Sequence, residues 1–338
     1  MLNGMSQNDR SSVLVTGGAG YIGSHVVELL VAAGRDVVVV DDLSTGSLDR
    51  VGDVPFVLLD LAAEDARDRL VATMRAHRVG GVVHLAAMKQ VAESVVRPTW
   101  YFERNIGGLT NLLAAMEHLD VRELVFSSSA AVYGEVAGAQ VDEDHPCSPV
   151  NPYGQSKLIG EWMLTNAADA WGLRGISLRY FNVAGSGSPH LRDRTEANLV
   201  PIVMRAVSEG RPVPVFGVDH PTPDGSCVRD YIHVVDLAHA HVAALDHLRG
   251  ADAGHTPCNL GTGRGTSVLA IVDAVSACAG RPAAIEALPP RAGDPVTVVA
   301  DPSRAQRLLG WRARHDVGDA IASAWSASPL ASSAPHVG

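Results

Sequence analysis

The 338-residue sequence predicts an α/β protein: a doubly wound parallel sheet followed by a smaller C-terminal α/β domain. Three observations carry this reading. Short apolar runs rich in valine alternate with longer stretches of helical periodicity over the first half of the chain, the pattern of repeated βαβ units. A glycine-rich turn closes the first of these runs, where such folds bring backbone close to a ligand. Beyond residue 181 the alternation loosens into Gly- and Pro-rich turns between short helices.

The elements follow in order. Ser12–Gly17 (SVLVTG) reads as a buried strand, and Tyr21–Ala33 as a helix that Gly34 ends. Asp36–Asp41 (DVVVVD) is the second strand; Phe56–Leu59, Gly81–Leu85 and Glu123–Ser127 are three more. Helices are expected at Ala66–His77 and Thr99–His118, and a third, Tyr153–Trp171, leads into strand Gly175–Tyr180. Right-handed crossovers make the strands parallel and put helices on both faces. The expected division is a disordered tail at 1–11, a first domain at 12–181, a mainly substrate-binding domain at 182–325 with segments returning to the first, and a disordered tail at 326–338. Small, polar, aperiodic composition marks both tails.

Composition narrows the function. Apolar residues make up 46% of the chain, enough for a sizeable core. A formal charge of −10 argues against nucleic acid or an anionic membrane as partner. Cys147, Cys227, Cys258 and Cys278 are widely spaced and form no CxxC, which reads as thiols in a reducing compartment. Met1–Arg10 has no apolar core of a signal peptide, and no apolar run reaches the ~18 residues of a membrane span. A cytoplasmic location is expected. Lys89 and Lys157 are the only lysines among many arginines, which marks both as candidates for chemistry that a guanidinium cannot do.

The first strand runs into Thr16-Gly17-Gly18-Ala19-Gly20-Tyr21-Ile22-Gly23 and then a helix. Gly18, Gly20 and Gly23 fit GxGxxG, with Gly17 fitting the overlapping GxxGxxG. Glycines permit a tight turn against a pyrophosphate, and the helix N-terminus supplies N–H donors and a favourable dipole. Asp41 ends the next strand, where a carboxylate accepts from the adenosine ribose hydroxyls and repels the extra phosphate of NADP. Asp42 adds to that charge, and Asp60, after the third strand, is expected near the adenine. The first domain is thus a Rossmann-type unit for NAD.

A second constellation lies downstream. Tyr153-Gly-Gln-Ser-Lys157 is YxxxK, and on a helix this i, i+4 spacing puts both side chains on one face. A nearby ammonium and the positive nicotinamide ring both favour the phenolate, so the Tyr153 pKa is expected to fall towards neutrality. Ser129 follows the fifth strand, at the C-terminal edge where ligands sit, and can bridge a substrate hydroxyl and Tyr153. A histidine group, His233, His239, His241 and His247, invites a metal reading, but probable helix positions explain it and the chemistry needs none; no metal is expected.

With these residues the chain resembles the extended short-chain dehydrogenase/reductase family, and within it the UDP-galactose 4-epimerases. The resemblance runs from about Val13 to Trp325. It is carried by VTGGAGYIGSH (15–25), HLAAMKQVAESV (84–95), FSSSAAVYGE (126–135), NPYGQSK (151–157), LRYFNVAG (178–185) and DGSCVRDYIHVVDLA (224–238). It implies Tyr153 as base, Lys157 as partner of cofactor and tyrosine, and Ser129 as hydroxyl partner. Tyr21, Ile22, Asp41, Asp60, Leu61, Leu85, Ala86, Ala87 and Lys89 would line NAD, with Phe181 closing the nicotinamide side. Lys89 would also face the sugar. Asn182, Asn198 and Arg229 would hold the diphosphate of a UDP-sugar, joined by Arg291, and Leu199 would also contact the substrate. Asp294 would take the uridine ribose, and Pro214, Val215 and Phe216 the uracil. A homodimer is implied, through the Thr99–His118 and Tyr153–Trp171 helices.

Three positions depart from the family pattern. Arg104 stands where an asparagine is usual near the cofactor, and Ala131 replaces a threonine. Val298 occupies a sugar-pocket position that is often tyrosine in members restricted to glucose and galactose. The resemblance implies oxidation at sugar C4 followed by reduction on the opposite face. Dehydratases of the same fold place Asp-Glu after the strand-end hydroxyl; Ala130 and Ala131 stand there instead. A 4-epimerase of N-acetylhexosamine or uronate nucleotides, or one of dual range, stays open. So does a non-catalytic NAD sensor, which retention of Ser129, Tyr153 and Lys157 opposes.

Overall fold

The computed structural model describes residues 11–136, 140–195, 198–291 and 295–333. Along the chain the elements are β1 (Ser12–Thr16), α1 (Tyr21–Ala32), β2 (Val37–Asp41), β3 (Phe56–Leu58), α2 (Ala66–Ala76), β4 (Val79–His84), α3 (Val91–Val96), α4 (Pro98–Phe102), α5 (Gly108–His118), β5 (Glu123–Ser129), β6 (Gln140–Val141), α6 (Pro152–Trp171), β7 (Arg174–Tyr180) and β8 (Asn182–Ala184). There follow α7 (Leu199–Glu209), β9 (Val213–Phe216), β10 (Val228–His233), α8 (Val234–Leu248), β11 (Gly254–Leu260), β12 (Gly265–Ser267), α9 (Val268–Ala279), β13 (Ile285–Leu288), β14 (Thr297–Ala300), α10 (Ser303–Leu309) and α11 (Val317–Ser326).

The valine runs became strands for a physical reason. Every residue of β1 and β2 is buried, as in a parallel sheet covered on both faces, where hydrophobic runs need not alternate. The strands form one seven-stranded sheet in the order β11-β7-β5-β4-β1-β2-β3. Within it β1 pairs in parallel with β2 and β4, β2 with β3, and β4 with β5. Strand order reverses at β1, between β4 and β2. That reversal is the switch point outside whose carboxyl ends such sheets bind ligands.

The expected helix at Thr99–His118 is interrupted. A π-helical turn, Glu103–Gly107, joins α4 to α5. The wider turn brings Asn105 inward, where its amide accepts from Met88 N (2.8 Å) and donates to Met88 O (3.0 Å) and Ser156 Oγ (2.9 Å). A buried amide satisfied on both sides offsets the lost α-helical geometry.

The chain forms two compact units. The first comprises the chain up to Ser128 together with Ser156–Leu178 and His241–Pro257; the second comprises Ser129–Gln155, Arg179–Ala240 and Cys258 onward. This division differs from a boundary at 181/182, because the chain leaves the sheet at the end of β5 and β6 pairs with β14. The first unit's core gathers Leu14, Val38, Val82, Leu112, Met116 and Leu124 under the sheet. The second unit's core gathers Val203, Met204, Tyr231, Ile271, Val272 and Ile321. Within the stretch expected as a C-terminal tail, Pro329–Ser333 is a 3-10 turn, and Leu330 packs against the second core. That contact supplies the apolar burial that composition alone did not suggest. Among the described residues no helix is long and apolar enough to cross a membrane, and no group of three or more metal-ligating side chains forms.

Candidate active site

The first unit carries the dinucleotide residues. Gly17 has φ +71°, and a Cβ there would lie 2.6 Å from Ala86 N; a Cβ on Gly23 would lie 2.1 Å from Gly17 O. Only glycine lets β1, the turn and the loop after β4 approach so closely, and the space spared is the cradle that a pyrophosphate needs. Helix α1 begins at Tyr21 behind Gly20, whose side of the cap offers no competing side-chain bond. Asp41 is buried, and its carboxylate accepts from Ala19 N (3.0 Å) and Leu43 N (2.8 Å). Burial pushes its pKa up, opposed by those two N–H groups. Each oxygen keeps lone-pair capacity for a ribose hydroxyl, while a phosphate there would meet a carboxylate. These residues fit NAD.

Asp60 accepts from Ala62 N (3.0 Å) and is ion-paired with Arg104. The cation that departs from the family pattern thus answers an acid already in the site. Leu61 is part of the first core, and Ala86 packs against it. Lys89 is exposed, and Leu85, Ala86 and Ala87 are half-buried. His84, at the end of β4, shares a 2.7 Å hydrogen bond with Thr16 Oγ1. Burial, with the Lys157 charge behind it, pulls its pKa to about 3.

Lys157 belongs to the first unit. Its ammonium is buried, donates to Ser127 O at 2.8 Å and lies 5.0 Å over the Phe126 ring. Burial lowers its pKa to about 7. Ser129 and Tyr153 belong to the second unit. Ser129 Oγ accepts from Ala131 N (3.2 Å), capping the 3-10 turn Ala130–Val132, and its side chain is hydrogen-bonded to Tyr153. Tyr153 and Lys157 stand one turn apart on α6.

The lowered Tyr153 pKa expected beside a positive nicotinamide ring is a property of the NAD complex; the protein's own groups act in the other direction. Burial raises it above the ordinary phenol value, with only the Ser129 bond opposing. Desolvation of a phenolate in a closed site outweighs one neutral hydrogen bond.

The remaining residues lie in the second unit. Phe181 and Asn182 are half-buried, and Asn182 pairs in register with Tyr231 and bonds its hydroxyl. Asn198 precedes α7, which starts at Leu199, without a side-chain capping bond; its amide donates to Asp193 Oδ2 (2.5 Å). Pro214, Val215 and Phe216 form β9 against β13. The Arg291 guanidinium lies 3.7 Å over the Phe216 ring. Arg229 donates to Val228 O (2.9 Å) and is the register partner of Val298. Val298 is 6% exposed, so an aromatic ring there must displace neighbours. Asp294 lies outside the described residues. Of the histidine group, His233 bonds Ser323 Oγ (2.9 Å) and His241 bonds Ser127 Oγ (3.0 Å). Serine partners explain both.

Sequence reasoning missed a buried polar chain. Tyr133 OH donates to Asn259 Oδ1 (2.6 Å) and accepts from Arg179 (3.0 Å), while Asn259 N donates to Glu143 Oε1 (2.7 Å). Tyr133 sits in FSSSAAVYGE and was in view. Its partner lies 126 residues away, a separation that no local pattern reports.

A sheet with its switch point at a glycine turn, an acid ending β2 and a Ser/Tyr/Lys set define an enzyme of the NAD-dependent short-chain dehydrogenase class. Comparison with known proteins agrees. Residues 13–261 match the model of the NAD dependent epimerase/dehydratase family. The UDP-glucose 4-epimerase of Halalkalibacterium halodurans is 42% identical over 311 residues, covering 90% of this chain and 91% of that protein. The structure of UDP-glucose 4-epimerase from Brucella ovis in complex with NAD superposes with a TM-score of 0.88 at 42% identity, covering 92% of this chain and 96% of that one. The UDP-Glc/GlcNAc 4-epimerase of Campylobacter jejuni gives 0.82 at 34% identity, covering 94% and 98%. The chain belongs to the NAD-dependent epimerase/dehydratase family.

Proposed function

We propose that the protein is an NAD-dependent 4-epimerase of UDP-hexoses that interconverts UDP-galactose and UDP-glucose. The observation that carries the reading is the hydrogen bond between Ser129 and Tyr153, with Lys157 one turn further on the same helix. NAD, when bound, supplies the hydride acceptor for sugar C4 and a positive ring that favours the phenolate. The glycine turn Gly17–Gly23, Asp41, Asp42, Asp60 and the loop Leu85–Lys89 hold it. Tyr153 takes the proton of the 4-hydroxyl and returns it when the 4-keto sugar is reduced on its other face. Ser129 orients that hydroxyl and donates to the tyrosine oxygen. Lys157, kept out of water, holds its charge loosely enough to follow the proton. Asn182, Asn198, Arg229 and Arg291 anchor the diphosphate, so the sugar is free to turn.

The same reading makes the protein a cytoplasmic homodimer. None of the four cysteines forms a disulfide, as in a reducing compartment. Trp162 on α6 is 57% exposed, as on a helix face that a second copy covers. The test is Tyr153→Phe in protein purified without added nucleotide. Turnover should fall at least ~10²-fold, the effect of losing a general base, while the NAD released on denaturation stays equal to wild type. Near-normal turnover would remove Tyr153 from the reaction.

A second reading extends the substrate range. Val298, where members restricted to glucose and galactose often carry tyrosine, is the smaller side chain, and the similarity to a Glc/GlcNAc enzyme favours this reading. On this reading UDP-N-acetylglucosamine and UDP-N-acetylgalactosamine are substrates too.

A further inference from the structure

The turn that bears Ser129 is held from below by a buried tether. Ser129 Oγ accepts from Ala131 N, which fills one lone pair and leaves the hydroxyl hydrogen to point at Tyr153. The 3-10 turn Ala130–Val132 follows at once and closes on Tyr133, whose N–H bonds Ala130 O at 3.1 Å. The same turn abuts the start of α6: a Cβ on Gly154, next to Tyr153, would stand 2.5 Å from Ala131 O. The position of this one turn therefore fixes both partners of the Ser129–Tyr153 bond.

What fixes the turn is Tyr133. Its ring is 1% exposed and lies under Arg179, whose guanidinium is 5.0 Å from the ring centre. Its hydroxyl donates to Asn259 and accepts from Arg179. Asn259 is itself immobilised at both ends, its N–H on Glu143 (2.7 Å) and its side-chain amide on Val141 O (2.9 Å). Glu143 is held in turn by Arg304 (3.4 Å). Each member of the chain is buried or nearly so and each has its partner, so it is rigid rather than adaptable.

We infer that Tyr133 is a positioning residue of the reaction: its hydroxyl, tied to Asn259 and Arg179, sets the turn that aims Ser129 at Tyr153. The inference rests on the epimerase reading, and wild-type conversion of UDP-galactose tests that reading by itself. A misplacement of the donor on the scale of an ångström is costly because the reacting groups work only in one geometry.

The experiment is a double-mutant cycle of Tyr133→Phe and Ser129→Ala, with thermal midpoints measured so that every assay is made on folded protein. Tyr133→Phe alone should lower kcat about tenfold or more, with KM and bound NAD within twofold of wild type. Its kcat–pH profile should move its basic-side rise to higher pH, since a phenolate that loses a donor is harder to form. In the Ser129→Ala background the same substitution should change kcat less than twofold, because groups that act as a unit are not additive. Asn259→Ser, which withdraws the acceptor and leaves Tyr133 in place, should reproduce the pattern. The inference is overturned if Tyr133→Phe keeps kcat within twofold of wild type, if the two losses multiply, or if the pH profile stays in place.

Discussion

At the scale of single residues, the site depends on how each charge is bought back from burial. Lys157 donates to Ser127 O and lies over the Phe126 face, and burial lowers its pKa to about 7. Tyr153 is pushed the other way by the same desolvation. Both shifts oppose the charged form. Val298 makes a sharper claim about specificity. It is a buried β14 residue in register with Arg229, and the proposed dual-range reading places it beside the sugar. Val298→Tyr should depress turnover of the N-acetyl substrates at least tenfold more than that of UDP-galactose, because the added ring clashes with one substrate class only. Steady-state rates on both substrate pairs decide it; equal losses on both would show that Val298 is not the gate.

Secondary-structure elements bring in the sequence's reach and its limits. The strands β1 and β2 were legible because valine runs buried on both faces have few alternatives. The glycine turn, Asp41 and YxxxK were legible because each is local: spacing along one turn or one helix contains the geometry. The π turn at Glu103–Gly107 was not, since its cause is the inward pull on Asn105 from Met88 and Ser156, contacts made across the fold. The Tyr133–Asn259 bond escaped for the same reason. The burial that raises the Tyr153 pKa in the protein by itself was not legible, because proximity in sequence says nothing about desolvation. Strand ends also carry a pH signature. His84 ends β4 and His233 ends β10, and burial lowers their pKa values to about 3 and about 4. Between those values and the ordinary 6.5 the unfolded chain binds more protons than the folded one, so stability is lost as pH falls from about 6.5. Each group contributes at most about 1.4 kcal/mol per pH unit in that window. The thermal midpoint should therefore drop between pH 7 and pH 5, and His233→Asn should flatten the drop. An unchanged slope in the variant would contradict the assignment.

For the whole molecule, each unit carries its own residues of the proposed reaction. The first offers glycine backbone, Asp41 and the buried Lys157; the second offers Ser129, Tyr153 and the arginines suited to a diphosphate, whose paired oxygens match a guanidinium fork. The net charge of −10 leaves these arginines as a local exception rather than part of a basic surface. On the proposed epimerase reading, redox equivalents never leave the protein: cofactor and nucleotide are held, and only the sugar turns. The central claim is therefore that the hydrogen removed from C4 is the one put back. UDP-galactose deuterated at C4, turned over in ordinary water with no added NAD, tests it by mass spectrometry and proton NMR of the product. The account predicts UDP-glucose that retains the deuterium at C4. Loss of the label to solvent, or no conversion until NAD is added in stoichiometric amount, would contradict it.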